Sequence, residues 1–215
     1  VIYDKAYTLP TPYKVGHTFN GWYENNNKIS DGTWKKTSDL TLVAKWTPNI
    51  YSINYNLNGG TINSSIPSSY TYGTTKVIPN PTKIGYEFIG WTVNESTEYY
   101  KDYEISSATY GDLELVANYK PNVYTITLDR NGGTCDKSYI TVEYNSKFEL
   151  PVPSRLGYTF NGWYSGSSKV ENGTWTKTSS LDLKAKWSVT NYKITYNLDG
   201  ATNSLNNPSS YTFET

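Results

Sequence analysis

The sequence repeats itself. The segments YSINYNLNGGT (residues 51–61), YTITLDRNGGT (124–134) and YKITYNLDGAT (192–202) are versions of one pattern. A second set runs GHTFNGWY (16–23), GYEFIGWT (85–92) and GYTFNGWY (157–164), and a third LTLVAKW (40–46), LELVANY (113–119) and LDLKAKW (181–187). The Gly-Trp tryptophans fall at 22, 91 and 163, so the period is 69 and then 72 residues. That length is one small domain, and a chain so built must assemble repeated small cores instead of one large one.

The repeat divides the chain into a partial unit over residues 1–47 that lacks its first strand, complete units over 50–120 and 123–188, and a partial unit over 191–215 that holds only first strands. Tyr3-Asp4-Lys5 is equivalent to Tyr72-Gly73-Thr74, so the two partial units are complementary and head-to-tail self-association by strand donation is expected. The absence of any methionine, the first position included, suggests a segment of a longer polypeptide.

Each unit reads as a small sheet. In Tyr51-Ser52-Ile53-Asn54-Tyr55-Asn56-Leu57 every second residue is apolar, and the alternation returns at Tyr124 to Leu128 and Tyr192 to Tyr196. Period two marks a half-buried strand. Asn58-Gly59-Gly60, Asn131-Gly132-Gly133 and Asp199-Gly200 tolerate positive φ and end that strand in a tight turn. The runs Ile78-Pro79-Asn80-Pro81 and Leu150-Pro151-Val152-Pro153 predict irregular extended chain or a sheet edge. Gly162, inside Tyr158 to Tyr164, predicts a bulge or a close approach, with a neighbouring aromatic ring as the expected visitor. In the closing strand Leu181, Leu183, Ala185 and Trp187 share one face, opposite Asp182, Lys184 and Lys186. Tyr 22, Trp 7 and Met 0 with 36% hydrophobic residues make aromatics the main core material. The fold class is mainly β: about four strands per unit, in tandem units joined by short linkers into an elongated array.

Lys+Arg 19 balances Asp+Glu 19, which argues against a nucleic-acid partner. No apolar run reaches the roughly 18 residues of a span, so no membrane insertion is expected within this segment.

The three motif sets, in order and three times over, resemble the Listeria-Bacteroides repeat, the B repeat of internalin B and of other bacterial surface proteins. The resemblance covers essentially the whole chain. It implies a β-grasp-like, ubiquitin-like or SUMO-like unit, an extracellular location at the bacterial cell surface or in secreted form, and a stalk that projects a distal domain. It implies no catalytic residues. The middle unit departs from the pattern, with Tyr119 for the closing Trp, Thr92 for the Tyr after Gly-Trp, and a longer loop before Leu113.

No catalytic constellation stands out, and the chain is read as a non-enzyme without cofactor or metal. His17 is the single histidine, and the other units place Tyr86 and Tyr158 there. Cys135 is the single cysteine and reads as a small apolar filler. The oxygen-rich run Asp129 to Asp136 lacks the spacing of a calcium loop and is explained by turn chemistry. Three Asn-x-Ser/Thr sequons, at Asn63, Asn94 and Asn172, are matched by composition alone. Most tryptophans are expected to fill cores. Trp34 and Trp175, in polar glycine-bearing surroundings, are the candidate exposed rings, and Tyr99, Tyr100 and Tyr103 of the long middle loop are the other candidate ligand-binding residues. They define the alternative to a stalk: an adhesin-type module that binds a host protein or glycan.

Overall fold

The computed structural model describes residues 1–214. Every regular element among them is a strand. The first repeat supplies β1 (Ala6–Tyr7), β2 (His17–Glu24), β3 (Asn27–Ile29), β4 (Gly32–Thr33) and β5 (Val43–Pro48). The second supplies β6 (Ile50–Asn56), β7 (Ser69–Thr71), β8 (Lys76–Val77), β9 (Tyr86–Val93), β10 (Glu104–Ile105) and β11 (Leu113–Pro121). The third supplies β12 (Val123–Asp129), β13 (Tyr139–Glu143), β14 (Lys147–Phe148), β15 (Tyr158–Ser165), β16 (Ser168–Val170), β17 (Gly173–Thr174) and β18 (Leu181–Val189). β19 (Asn191–Lys193) and β20 (Ser210–Thr212) close the series.

The complete repeats share one topology. Their sheets run β7-β6-β11-β9 and β13-β12-β18-β15-β16. In each, the first strand lies parallel to the last, with Leu113 opposite Ile53 and Leu181 opposite Ile126. The alternation predicted for these strands sets the face: Ile126, Leu128, Leu183 and Ala185 are buried, while Asp182, Lys184 and Lys186 are exposed. The Pro-bearing runs form no strand, as their missing donors dictate.

Each repeat carries an aromatic trio. Phe160 lies 5.7 Å from Trp163 and 5.4 Å from Trp187. Phe88 makes the same contacts with Trp91 at 5.6 Å and Tyr119 at 5.7 Å, and Phe19 with Trp22 at 5.6 Å and Trp46 at 5.2 Å. The Tyr119 substitution therefore changes a ring and keeps the cluster. Such edge-to-face and tilted pairs add about 0.5–1.5 kcal/mol each to simple burial.

The glycine inside the long strand does mark a bulge, with the register shifting between Phe19 and Gly21 and between Phe160 and Gly162. The expected aromatic visitor is corrected: a Cβ on Gly162 would stand 2.3 Å from the Lys169 Cε, and one on Gly21 2.5 Å from the Lys28 Cε. A lysine stem, not a ring, covers the bulge in these repeats.

The chain forms two compact units, one of Val1–Lys83 with Phe88–Lys120, the other of Ile84–Glu87 with Pro121–Thr215. In the first unit a single residue, Asn49, separates β5 from β6. Its N–H donates to Gly16 O at 2.8 Å and its carbonyl accepts from Tyr72 N at 2.9 Å. The Tyr72 ring lies over Gly16, which has φ +68, and a Cβ there would come within 2.2 Å of the ring. The second unit repeats the device twice. Gly85 sits under Tyr144, with Asn122 bridging Gly85 O and Tyr144 N at 2.9 Å each; Gly157 sits under Phe213, with Thr190 N donating to Gly157 O at 2.9 Å.

Candidate functional site

The middle repeat carries a longer loop than the other repeats, between β9 and β11. It opens on Asn94 and Glu95, both at positive φ (46° and 63°), which turns the chain sharply out of the strand. The Asn94 side chain is fully used in holding the base of the loop: Oδ1 accepts from Glu114 N at 2.8 Å and Nδ2 donates to Asp112 O at 3.3 Å. Asp112 in turn accepts from Ser52 N at 2.7 Å, and that backbone hydrogen bond holds its carboxyl below the usual range.

Two further clamps fix the crest. Trp91 and Tyr100 exchange backbone hydrogen bonds at 2.8 and 2.9 Å, laying the Tyr99–Tyr100 backbone on Gly90, where a Cβ would stand 2.8 Å from Tyr100 N. Asn80 and Asp102 exchange side-chain and backbone bonds at 2.6 and 3.1 Å. The loop is thereby braced to the sheet instead of swinging free of it.

Its tyrosines divide. Tyr99 is 56% exposed, Tyr100 37% and Tyr110 64%. Tyr100 OH donates to Glu98 Oε2 at 2.6 Å, and this bond to the carboxylate raises the phenol pKa. Tyr103 packs half-buried against the core of its repeat, its ring 5.7 Å from Tyr100, and burial raises its phenol pKa as well. Tyr100, Tyr103 and Tyr110 line a shallow cleft with Ser96, Thr109 and Leu113. Tyr110 is the residue that sequence reading passed over; its signal was the same loop's excess of tyrosine.

The structure separates the two tryptophan candidates. Trp175 is only 2% exposed, which corrects its reading as an exposed ring. Pairing of β17 with β14 carries the ring inward, against Phe148 at 5.6 Å and Tyr124 at 6.3 Å. Polar neighbours in sequence lie on the outer side of that turn and say nothing about the ring. Trp34 is half-buried and edge-on to Tyr7 at 5.0 Å. Both belong to repeats other than that of the tyrosine loop.

The remaining chemical candidates are absorbed structurally. His17 Nδ1 is 2.8 Å from Val15 O and its ring packs 5.1 Å from Tyr72. Asp129 accepts from Asn131 N at 2.9 Å, an Asx turn that lowers its carboxyl pKa together with nearby Lys184. Among the described residues no group of three or more His, Cys, Asp or Glu side chains gathers, and no helix is long and apolar enough to cross a membrane.

Comparison with known proteins follows the repeat. The Listeria-Bacteroides repeat domain matches the chain over residues 1–45, 51–118 and 124–186. A protein of Evansella cellulosilytica with the provisional name Gly-rich membrane protein is 31% identical over 92% of this chain and 24% of its own length. Internalin H of Listeria monocytogenes is 29% identical over 67% of this chain and 29% of its own length. The chain thus spans about a quarter of the relatives it matches. No solved structure matches it.

Proposed function

We propose, because this chain belongs to the Listeria-Bacteroides repeat family, that it is a non-catalytic spacer of a bacterial cell-surface or secreted protein, projecting a distal domain through stiff tandem units. The observation that carries this is the joint. A single residue, Asn49, lies between β5 and β6 and is hydrogen-bonded on both sides, while a tyrosine ring fills the space over Gly16. A spacer that transmits length needs joints without free linker, and this one has none to give. The internalin and the membrane-protein name among its relatives support an extracellular, surface-associated setting. A β-grasp-like unit is the fold reading that goes with it, supported by the parallel pairing of first and last strands in a mixed sheet. Small-angle scattering of the 215-residue chain tests the spacer. A compact globule of this length has a radius of gyration of about 17 Å; a folded chain well above that supports the spacer, and a value near it defeats the proposal.

The braced tyrosine loop favours a second reading, an adhesin-type module for a host protein or glycan. Exposed aromatic rings on a fixed loop provide contact area at low entropic cost. Binding to a glycan panel and to host cells should be saturable and should be lost in Tyr100→Ala with the β circular dichroism unchanged. Equal binding by that variant removes the loop from consideration.

A further inference from the structure

We propose, resting on the reading of the braced loop as a binding module, that its cleft takes an arginine side chain from a basic segment of a partner protein. The cleft lies within the middle repeat and holds about 390 Å³, in the roughly 300–1,000 Å³ range of ligand clefts. Every residue that lines it falls between Val93 and Leu113, and none of them carries a charge at neutral pH. Its own walls therefore offer tyrosine ring faces and a few hydroxyls, and the charge comes from what stands beside them.

That charge decides between occupants. Glu95, Glu98, Asp102, Glu104, Asp112 and Glu114 are all exposed, and Lys101 is the single basic residue between the first and the last of them. Six of the nineteen carboxylates of a chain with no net charge are thus gathered in twenty residues. The corresponding stretches of the first and third repeats, 25–39 and 166–180, have more lysines than carboxylates and no tyrosine. The tyrosines and the reversal of charge arrive together, in the same lengthened loop. A sulfated or otherwise anionic glycan is repelled from such a surface, and a cationic protein segment is drawn to it.

Glu98 brings the charge to the ring. Its Oε2 accepts from Tyr100 OH at 2.6 Å, and its backbone N–H donates to Ser96 Oγ at 3.1 Å. Its Oε1 accepts no hydrogen bond among the described residues. The Tyr100 and Tyr103 rings are 5.7 Å apart and tilted by 59°, so they do not stack face to face. An aromatic face is electron-rich and attracts a cation held within about 6 Å of its centre. A planar guanidinium lies flat on that face and still turns its fork to a carboxylate, where an ammonium offers only a point charge. The third repeat builds this arrangement from its own residues. Arg155 Cζ lies 3.7 Å from the centre of the Tyr158 ring, and Tyr158 OH donates to Glu214. In the middle repeat Glu98 and Tyr100 supply the carboxylate and the ring, and the arginine is the partner's to supply.

An NMR titration of the 215-residue chain reads site and preference together. The probes are an end-blocked Gly-Arg-Gly-Arg-Gly-Arg peptide, its citrulline counterpart, which keeps the shape of arginine without the charge, and a sulfated hexasaccharide from heparin. Amide shifts within residues 94–114 should saturate with the arginine peptide, and the other two probes should bind at least about tenfold more weakly. Tyr110→Ala, at a ring 64% exposed, should raise the dissociation constant about two- to thirtyfold. Glu98→Gln, which keeps an acceptor for Tyr100 OH, should raise it about two- to fivefold. Glu149→Gln, which removes an exposed carboxylate of the third repeat, should leave it unchanged. Amide dispersion confirms that each variant is folded. Equal binding of the arginine and citrulline peptides, or tighter binding of the hexasaccharide, overturns the proposal. So do an affinity unmoved by Tyr110→Ala and Glu98→Gln, an equal loss in Glu149→Gln, and the absence of any saturable shift. Such a failure beside host-cell or glycan binding that Tyr100→Ala abolishes leaves the loop a binding module with another ligand; failure of both tests removes the module as well.

Discussion

Gly16→Ala tests whether the joint is held as described. Two costs act together. At φ +68 an alanine is in the left-handed region, which costs about 1 kcal/mol relative to glycine. The new Cβ also stands 2.2 Å from the Tyr72 ring, far inside the contact distance that a carbon needs, so the ring must leave its place over the backbone. Tyr72 is half-buried there and packs on His17 at 5.1 Å, so losing that seat forfeits about another 1–2 kcal/mol. The total is about 2–3 kcal/mol, and it falls on the joint because the core of the second repeat, around Trp91, touches neither residue.

Hydrogen exchange at two amides reads this directly. Asn49 N–H donates to Gly16 O and Tyr72 N–H to Asn49 O, so both should exchange about 30- to 150-fold faster in the variant, while Ile53 and Leu115 keep their protection. Tyr72→Ala supplies the control. In that background the ring is already gone, and Gly16→Ala should cost only the backbone part, about 1 kcal/mol. Equal costs of Gly16→Ala in both backgrounds, or unchanged exchange at Asn49 and Tyr72, would refute the account of a glycine kept bare for a ring.

Trp175→Ala should destabilise the third repeat by about 3–5 kcal/mol, while Trp34→Ala, at the half-buried equivalent, should cost clearly less; urea titrations of the two variants decide it. Trp163 Nε1 donates to Pro151 O at 2.7 Å whereas Trp91 Nε1 is buried without a partner, so Trp163→Phe should cost about 1 kcal/mol more than Trp91→Phe in the same titrations. Burial pushes the phenols of Tyr55 and Tyr70 up to about 12 from an ordinary value of 10.0. The folded state thus keeps protons that the unfolded chain sheds, so the second repeat holds its full stability below pH 10.0 and loses it as pH rises toward about 12; Tyr70→Phe should flatten that loss in alkaline melting curves.

Strand alternation was legible because the physics is local: a side chain two residues on points the same way, so Ile126, Leu128, Leu183 and Ala185 could be assigned to one face from their spacing. The glycines show where that reading stops. In Gly59-Gly60 and Gly132-Gly133 the first residue has positive φ, +78 and +82, and answers to the turn. The second has no such φ and is bare because Tyr119 and Trp187, more than fifty residues away, lie on it. A dipeptide that reads as one turn signal serves two purposes, and only the fold separates them. The same limit misplaced Trp175: its sequence neighbours are polar, but the pairing that turns its ring inward is with β14, some two dozen residues upstream.

The middle repeat shows how one unit in such an array can change without breaking the pattern. Where the first and third repeats pair β1 with β4 and β14 with β17 ahead of a tryptophan, the second pairs β8 with β10 and buries Ile105 completely. A smaller aliphatic residue thus serves the core there, with Tyr103 packed against it, and the chain between Val93 and Asp102 is released from core duty. What it does instead is present Tyr99 and Tyr100 outward while Asn80, Asp102 and Trp91 tie it down. The joints and aromatic trios are untouched by this exchange. Because the loop lies outside the joints and trios, Tyr100→Ala should leave the scattering profile unchanged even where it abolishes binding.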